Sequence, residues 1–299
     1  MELQHIIGNT FAVEAATALL PLYRCGEKDV ILLDTGLAAR DRDGLTALLE
    51  GNGFHLKGVI CTHAHFDHTG NARYLQQRYA CPVAMPLIEA GIAATPDAYR
   101  GNYACLTYGQ SRRLFSEEWV VADMTIDPQA RAFTFCGVPF SILSLPGHTA
   151  GQIGVVTPDS VAYLADCLIG EETMGSAKLP TVMNLAQDLD SKNALLSLRC
   201  KYYIISHKAV LTDIRPLIAY DLEQIQTRIF RLLDCLKDGM NREEWLGAFC
   251  EASEVHTHQD LKLSILERNF AQFLSYLEDT GRISIQQESG VKHYTRILR

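Results

Sequence analysis

The stretch Cys61-Thr62-His63-Ala64-His65-Phe66-Asp67-His68-Thr69-Gly70 places three histidines and one carboxylate within six residues. Imidazole nitrogen and carboxylate oxygen are donors that zinc takes. Catalytic zinc sites draw part of their shell from closely spaced residues and keep a position open for water. The density of donors therefore points to a metal site. Leu56 to Thr62, just before it, reads as a short apolar strand, and a helix is expected to open near Asn71. The cluster falls in a strand-to-helix loop, where a rigid scaffold fixes the start of a reactive segment.

Toward the N-terminus, residues 11–34 read as two strands joined by a turn at Cys25-Gly-Glu-Lys28, the second ending in Asp34-Thr35-Gly36. The carboxylate sits at a strand tip, and the glycine permits a tight exit. Residues 40–52 carry helical spacing at Leu45, Leu48 and Leu49, and Ala80 to Met85 reads as another strand. From Pro86 to Ile126 the pattern weakens, and this stretch is expected to be an insertion packed near the site. Its Tyr99, Tyr103, Tyr108, Arg112 and Arg113 are possible substrate contacts.

Alternation returns at residues 132–135 and 139–145, hairpin-like around Gly137, and is followed at once by Pro146-Gly-His148-Thr-Ala-Gly151. A second hairpin, Gln152 to Thr157 and Ser160 to Ala165, ends in Asp166, and the strand Lys201 to Ser206 runs into His207. Strands ending at Thr62, Leu145, Ala165 and Ser206 thus each precede a potential ligand within three residues. This spacing predicts convergence on one edge of a sheet.

From about Pro216 the character is helical, with apolar residues at 222, 225, 229, 232, 233 and 236 and again at 266, 270, 273, 274 and 277. A hairpin turning at Ser289-Gly290 follows. The expected division is a domain over 1–215 and a smaller one over 216–299. Helices followed by a hairpin resemble a winged-helix module, but residues 221–299 hold 10 Lys or Arg against 13 Asp or Glu. Phosphate binding needs a basic face, so this part is expected to shape the substrate cleft or to form a homodimer. His256-Thr-His258 reads as a solvated loop.

The whole chain of 299 residues has a formal net charge of −8, which gives no footprint for nucleic acid. No apolar run reaches the roughly 18 residues of a membrane span. The N-terminus lacks a basic flank, apolar run and small-residue cleavage site. The nine cysteines are an odd number without a Cys-x-x-Cys pair, and read as reduced thiols, mostly core, with Cys61 and Cys167 beside the candidate ligands. These features together predict a cytoplasmic protein with a small-molecule substrate, no membrane and no nucleic-acid partner.

In order along the chain, Asp34-Thr-Gly, His63-x-His65-x-Asp67-His68, His148, Asp166 and His207 resemble the motifs of the metallo-β-lactamase-fold hydrolases over roughly residues 8–210. The resemblance implies an αββα sandwich with a metal site at one edge. It implies that His63, His65 and His148 hold one zinc, that Asp67, His68 and His207 hold a second, and that Asp166 bridges them, with Asp34 orienting a ligand from behind. Zinc is the favoured metal, and iron and manganese share these nitrogen and oxygen donors.

Two cations about 3.5–4 Å apart lower the pKa of a shared water, so that a bridging hydroxide can attack a carbonyl or phosphoryl centre. Asp67 or Asp166 would then handle the proton. The leading expectation is hydrolysis of a thioester, ester or lactone of a small metabolite. A phosphodiesterase or ribonuclease of the same fold, and a non-catalytic binding or regulatory protein, are the alternatives. His207 is followed by Lys208 where many relatives have glycine, and Thr69-Gly70-Asn71 stands where glyoxalase II-like enzymes often pair glycines. Both departures weigh against a glutathione thioester. Specificity is expected in the loops Pro86–Ile126 and Gly170–Gln187, with Lys178 and Tyr108 as candidates.

Overall fold

A computed structural model of the chain describes residues 1–102, 106–207, 209–257 and 259–297. Tyr103, Lys208 and His258, named above, lie outside them, as does Cys105 of the nine cysteines.

Four antiparallel strands open the chain: β1 (Leu3–Ile7), β2 (Thr10–Glu14), β3 (Leu19–Arg24) and β4 (Asp29–Leu33). Helix α1 (Ala38–Gly51) then crosses to β5 (His55–Ile60), parallel to β4. The short α2 (Phe66–Thr69) and α3 (Ala72–Tyr79) lead to β6 (Val83–Pro86). Then α4 (Leu87–Ala93), α5 (Pro96–Asn102) and α6 (Tyr108–Leu114) lead to β7 (Met124–Ile126), so that β5, β6 and β7 run parallel. These strands form one sheet in chain order.

The second sheet has the order β13-β12-β11-β10-β9-β8, built from β8 (Ala132–Phe135), β9 (Val138–Ser144), β10 (Ile153–Val156), β11 (Val161–Tyr163), β12 (Tyr202–Ile205) and β13 (Ala209–Leu211). Between β11 and β12 the chain forms α7 (Glu171–Ser176) and α8 (Leu185–Ala194), a crossover that makes these two strands parallel. After the sheets come α9 (Arg215–Cys235), α10 (Arg242–Ala252), α11 (Asp260–Asp279) and a hairpin of β14 (Ile283–Glu288) and β15 (Val291–Arg296).

Side-chain alternation along the strands assembles these elements into layers. Ile31, Leu33 and Ile60 of the first sheet pack with Phe140, Ile142, Val155, Tyr163 and Ile204 of the second. The intervening Val30, Leu32 and Val59 face the opposite way, onto Leu45, Leu49 and Leu75 of α1 and α3. On the far side, Ala162, Tyr203 and Ile205 meet Leu168, Leu195, Leu217 and Ile218. The result is the αββα sandwich. Strands buried on both faces explain the continuous apolar run at 30–33.

Another apolar cluster joins Met174, Leu179, Val182 and Leu185 to Ile225, Leu232, Trp245, Phe270 and Phe273. The Trp245 indole N–H donates to the Leu232 carbonyl at 2.8 Å, and the Asn241–Glu244 capping box starts α10. The helical C-terminal part is thus packed onto the segment between β11 and β12. None of the helices among the described residues is long and apolar enough to cross a membrane.

Two expectations need correction. The ligand-bearing strands do not share a sheet: β5 belongs to the first, and β9, β11 and β12 to the second. The stretch 86–126 holds α4, α5, α6 and an edge strand, and helices of seven residues are too short to display a period. The β1–β2 hairpin and α10 add to the elements read from the sequence.

Candidate metal centre

The ends of the strands bring the candidate side chains together. His63, His65, His148 and Asp166 present donor atoms within 4.8 Å of one another, and Asp67, Asp166 and His207 form a second such group. His68 Nε2 lies 3.3 Å from Asp166 Oδ1 and 3.9 Å from Asp67 Oδ2. Asp166 belongs to both groups: its Oδ2 is 3.3 Å from His148 Nε2 and 3.5 Å from His207 Nε2. The 3₁₀ turn at Ala165–Cys167, directly after β11, carries it there.

Two glycines make the close packing of these loops possible. A Cβ on Gly70 would stand 2.6 Å from the Gly36 carbonyl oxygen and 2.5 Å from that of Phe66. The Asp34-Thr-Gly turn is therefore pressed against the histidine loop, where Thr35 N–H donates to the His68 carbonyl at 2.7 Å. Gly147, at φ +131°, would place a Cβ 2.3 Å from Asp188 Cα.

The imidazoles of His63, His68, His148 and His207 are fixed from behind. Asp34, fully buried, accepts the His68 Nδ1–H at 2.7 Å, the Thr62 amide at 2.7 Å, the Thr62 hydroxyl at 2.8 Å and the Tyr163 hydroxyl at 2.7 Å. Since the Thr62 hydroxyl donates to Asp34, its oxygen accepts the His63 Nδ1–H at 3.1 Å. His148 Nδ1–H donates to the Thr181 carbonyl at 3.0 Å and His207 Nδ1–H to that of Thr17 at 3.2 Å. In a neutral imidazole the other nitrogen then carries a lone pair. For His63, His68, His148 and His207 that lone pair faces the cluster.

This geometry is a test of whether the residues fit a metal. His65 Nδ1 is 3.1 Å from His63 Nε2 and 2.9 Å from His148 Nε2. Lone pairs aimed at one point repel unless a cation sits between them. In a tetrahedral shell with bonds of about 2.0–2.1 Å, neighbouring donors stand roughly 3.3–3.4 Å apart. The observed 2.9–3.5 Å separations match that scale, so the residues fit.

Electrostatics differ between the groups in the metal-free protein. Burial, then the neighbouring imidazoles, hold His63 well below the usual histidine range. Burial and His148 do the same for His65, and burial brings His148 down to about 4. These three are neutral and ready to bind metal. For His68, burial opposes the charged form, but Asp166, Asp34 and Asp67 outweigh it and raise its pKa well above the ordinary value. His207 is raised in the same way, by Asp166 and then Asp67. Burial raises Asp67, and the Asp166 charge adds to that shift. Asp166 itself stays well below the carboxylate range because His68, His207 and His148 overcome its burial.

The residues open onto a cavity of about 270 Å³, lined also by Thr173, Leu179, Thr181, Ile265, Arg268 and Asn269. The loop 170–187 contributes as expected, whereas among the described residues none from 86–126 lines this cavity. Helix α11 lines it in their place. Asn269 Nδ2 donates to the Leu179 carbonyl at 3.2 Å, and Arg228 of α9 donates to the carbonyls of Met174 and Ala177 at 2.6 and 2.8 Å. Lys178 and Tyr108 are exposed and do not line the cavity, and His256 is also exposed. Cys61 and Cys167 are buried, and burial raises both thiols, Cys167 to about 12, as befits core residues. A larger cavity of about 630 Å³, around Asn9, Tyr23 and Pro139, contains none of the candidate residues.

Sequence reasoning missed Glu89. Fully buried at the start of α4, it accepts the Ala64 amide at 2.9 Å and the Gly151 amide at 2.7 Å. It ties the His63–His68 loop to the His148 loop. The available signal was one acid within the apolar run Leu87-Ile-Glu-Ala-Gly-Ile-Ala93.

The sequence model of the metallo-beta-lactamase superfamily matches residues 22–207. The chain belongs to that superfamily, and it is a hydrolase of it. It is 23% identical over 279 residues to an atrochrysone carboxyl ACP thioesterase of Cryptosporiopsis sp. (strain 8999), covering 88% of this chain and 76% of that one. It is 26% identical over 245 residues to a hydroxyacylglutathione hydrolase of Vibrio cholerae serotype O1, covering 76% and 80%. A beta-lactamase domain protein of known structure from Burkholderia ambifaria superposes with a TM-score of 0.74 at 16% identity, over 99% of this chain and 95% of that one. The likeness of fold therefore extends through the C-terminal helices.

Proposed function

We propose that this chain is a dinuclear zinc hydrolase that cleaves an acyl bond, foremost a thioester, of a small metabolite. The observation that carries the reading is the position of Asp166, whose single carboxylate lies within 3.5 Å of His148, His207 and His68 and so joins the two donor groups. His63, His65 and His148 would hold one ion, Asp67, His68 and His207 the other, with Asp166 between. Such ions supply Lewis acidity and a shared water of lowered pKa.

The chain's own residues do the rest. Asp34 keeps the His68 proton on Nδ1. Ser206 donates to Asp166 Oδ1 at 2.6 Å and fixes that carboxylate's rotation. Asp67 faces the cavity, where a carboxylate oxygen left free of the metal would be placed to take up and return a proton. Arg268 brings a cation to the same cavity, favouring substrates with an anionic group.

The thioesterase names of the relatives support an acyl bond over a phosphodiester, and the net charge of −8 supports a small substrate over nucleic acid. The helix–helix–helix–hairpin order after Ile214 supports a winged-helix-like module over 216–299 that shapes the cleft. Metal analysis should find close to two zinc ions per chain. A panel of acyl thioesters, lactones and phosphodiesters, run with wild type and Asp67→Ala, tests the reaction. Turnover of phosphodiesters alone would overturn the acyl reading.

A further inference from the structure

A second cavity of about 220 Å³ shares Phe66 with the metal cavity, and its walls include Leu37, Ala38, Leu114, Phe115 and Leu261. The two lie along one face of α11: Ile265 lines the metal cavity, and Leu261, one turn earlier, lines its neighbour. Phe66 stands in sequence between His65 and Asp67, so its ring leaves the backbone where the metal-facing side chains do. The Phe66 and Phe115 ring centroids are 6.4 Å apart. The second cavity thus adjoins the first across Phe66, with donor atoms on one side and hydrocarbon walls on the other.

Its character is apolar. Arg40 and Glu118 are the charged residues among its described lining, and burial raises the Glu118 carboxyl above its ordinary pKa. Leu114 is 41% exposed although it forms part of a concave apolar wall. An occupant that covers such a wall removes apolar surface from water, which is favourable at roughly 25 cal/mol per Å². Peptide and phosphate groups find few partners there, whereas an alkyl or aryl chain needs none.

We propose that this cavity is the acyl-chain subsite: an apolar acyl group passes Phe66 and lies against Leu37, Phe115 and Leu261, with its carbonyl in the metal cavity. The polar leaving group is then left to the side of Arg268, Asn269 and Thr173. At about 30 Å³ per water-sized group, the volume of about 220 Å³ takes on the order of seven carbons. The substrate class is accordingly a medium-chain or aromatic acyl thioester or ester. This assignment rests on the acyl-hydrolase reading above.

The test is calorimetric binding of straight-chain carboxylates, from acetate to decanoate, to the metal-loaded protein, alongside hydrolysis of the matching acyl thioesters. Affinity is expected to rise about fourfold per methylene and to level off after roughly seven. Ala38→Trp, which fills the cavity, and Leu114→Glu, which places a charge in its wall at a position tolerant of polar groups, should each abolish the dependence on chain length. Metal content and melting temperature check that both variants fold. A flat series in the wild type, or a rise that survives both substitutions, overturns the subsite. If acetyl thioester is hydrolysed and the series is flat, the subsite fails and the acyl reading stands. If the rise is present and lost in the variants while no thioester turns over, the subsite stands and the acyl reading fails.

Discussion

The two donor groups around Asp166 are built differently. His63, His65 and His148 are at most 5% exposed, and burial keeps them neutral. Asp67 and His207, by contrast, are 22% and 18% exposed at their side chains, although His65 and His148 line the same cavity. The first group is a closed socket of imidazoles from loops clamped by Glu89. The second is an open rim of carboxylate and imidazole facing whatever enters. A closed group favours retention of an ion, and an open one favours exchange of ligands during a reaction. Asp166, 6% exposed at its side chain, couples the two.

The contrast can be broken at its shared member. Asp166→Asn should remove the common charge, empty both groups and lower hydrolysis of the best thioester by about 10³-fold or more. Metal analysis of the variant checks the cause. Two ions retained with full activity would show that Asp166 joins nothing.

A smaller change should separate the groups. Asp67→Asn removes a donor from the open rim alone, so the protein is expected to keep one ion, fall toward one zinc per chain and lose about 10²-fold in rate, the usual scale for a displaced proton carrier. Loss of both ions would mean that the closed group has no independent affinity.

How much of this contrast was legible beforehand differs along the chain. The donors were legible because His63 to His68 crowd into one loop, and because His148, Asp166 and His207 each follow an apolar strand. The sandwich was recognisable from the order of those motifs, while the membership of β5 and β9 in different sheets was not, since pairing between strands far apart in sequence leaves no local period. Glu89 escaped because its role is to receive amides from two distant loops. Arg268 and Asn269 escaped for a similar reason: within α11 they read as helix positions, and only the packing of α11 on residues 174–185 brings them to the cavity.

The support behind the imidazoles offers a finer probe. Asp34→Asn leaves every donor in place but weakens the acceptor that holds the proton on His68 Nδ1. Loss of such an outer partner typically lowers metal affinity about 10–100-fold. Titration with a chelator should therefore find the ion of the open group weakened most, because His68 meets Asp34 directly whereas His63 meets it only through the Thr62 hydroxyl. Equal weakening of both would contradict the division.

The smallest expected effect is a difference in pH response between the groups in metal-free protein. His148 has a folded pKa of about 4 against about 6.5 unfolded, so between these values the unfolded chain binds more protons. Its contribution to stability is intact at neutral pH and erodes as pH falls through that window, by about tenfold in the folding equilibrium near pH 5.5. His207 has the opposite sign: its folded pKa is raised, so its stabilisation is fully present below about 6.5 and fades as pH rises through the folded value. Histidine proton resonances followed against pH should show His148 neutral at pH 6 while His207 is charged, and His148→Gln should flatten the acid limb of the stability profile. A His148 that titrates near 6.5 would mean that its socket is wet, and with that the distinction between a closed and an open group would go.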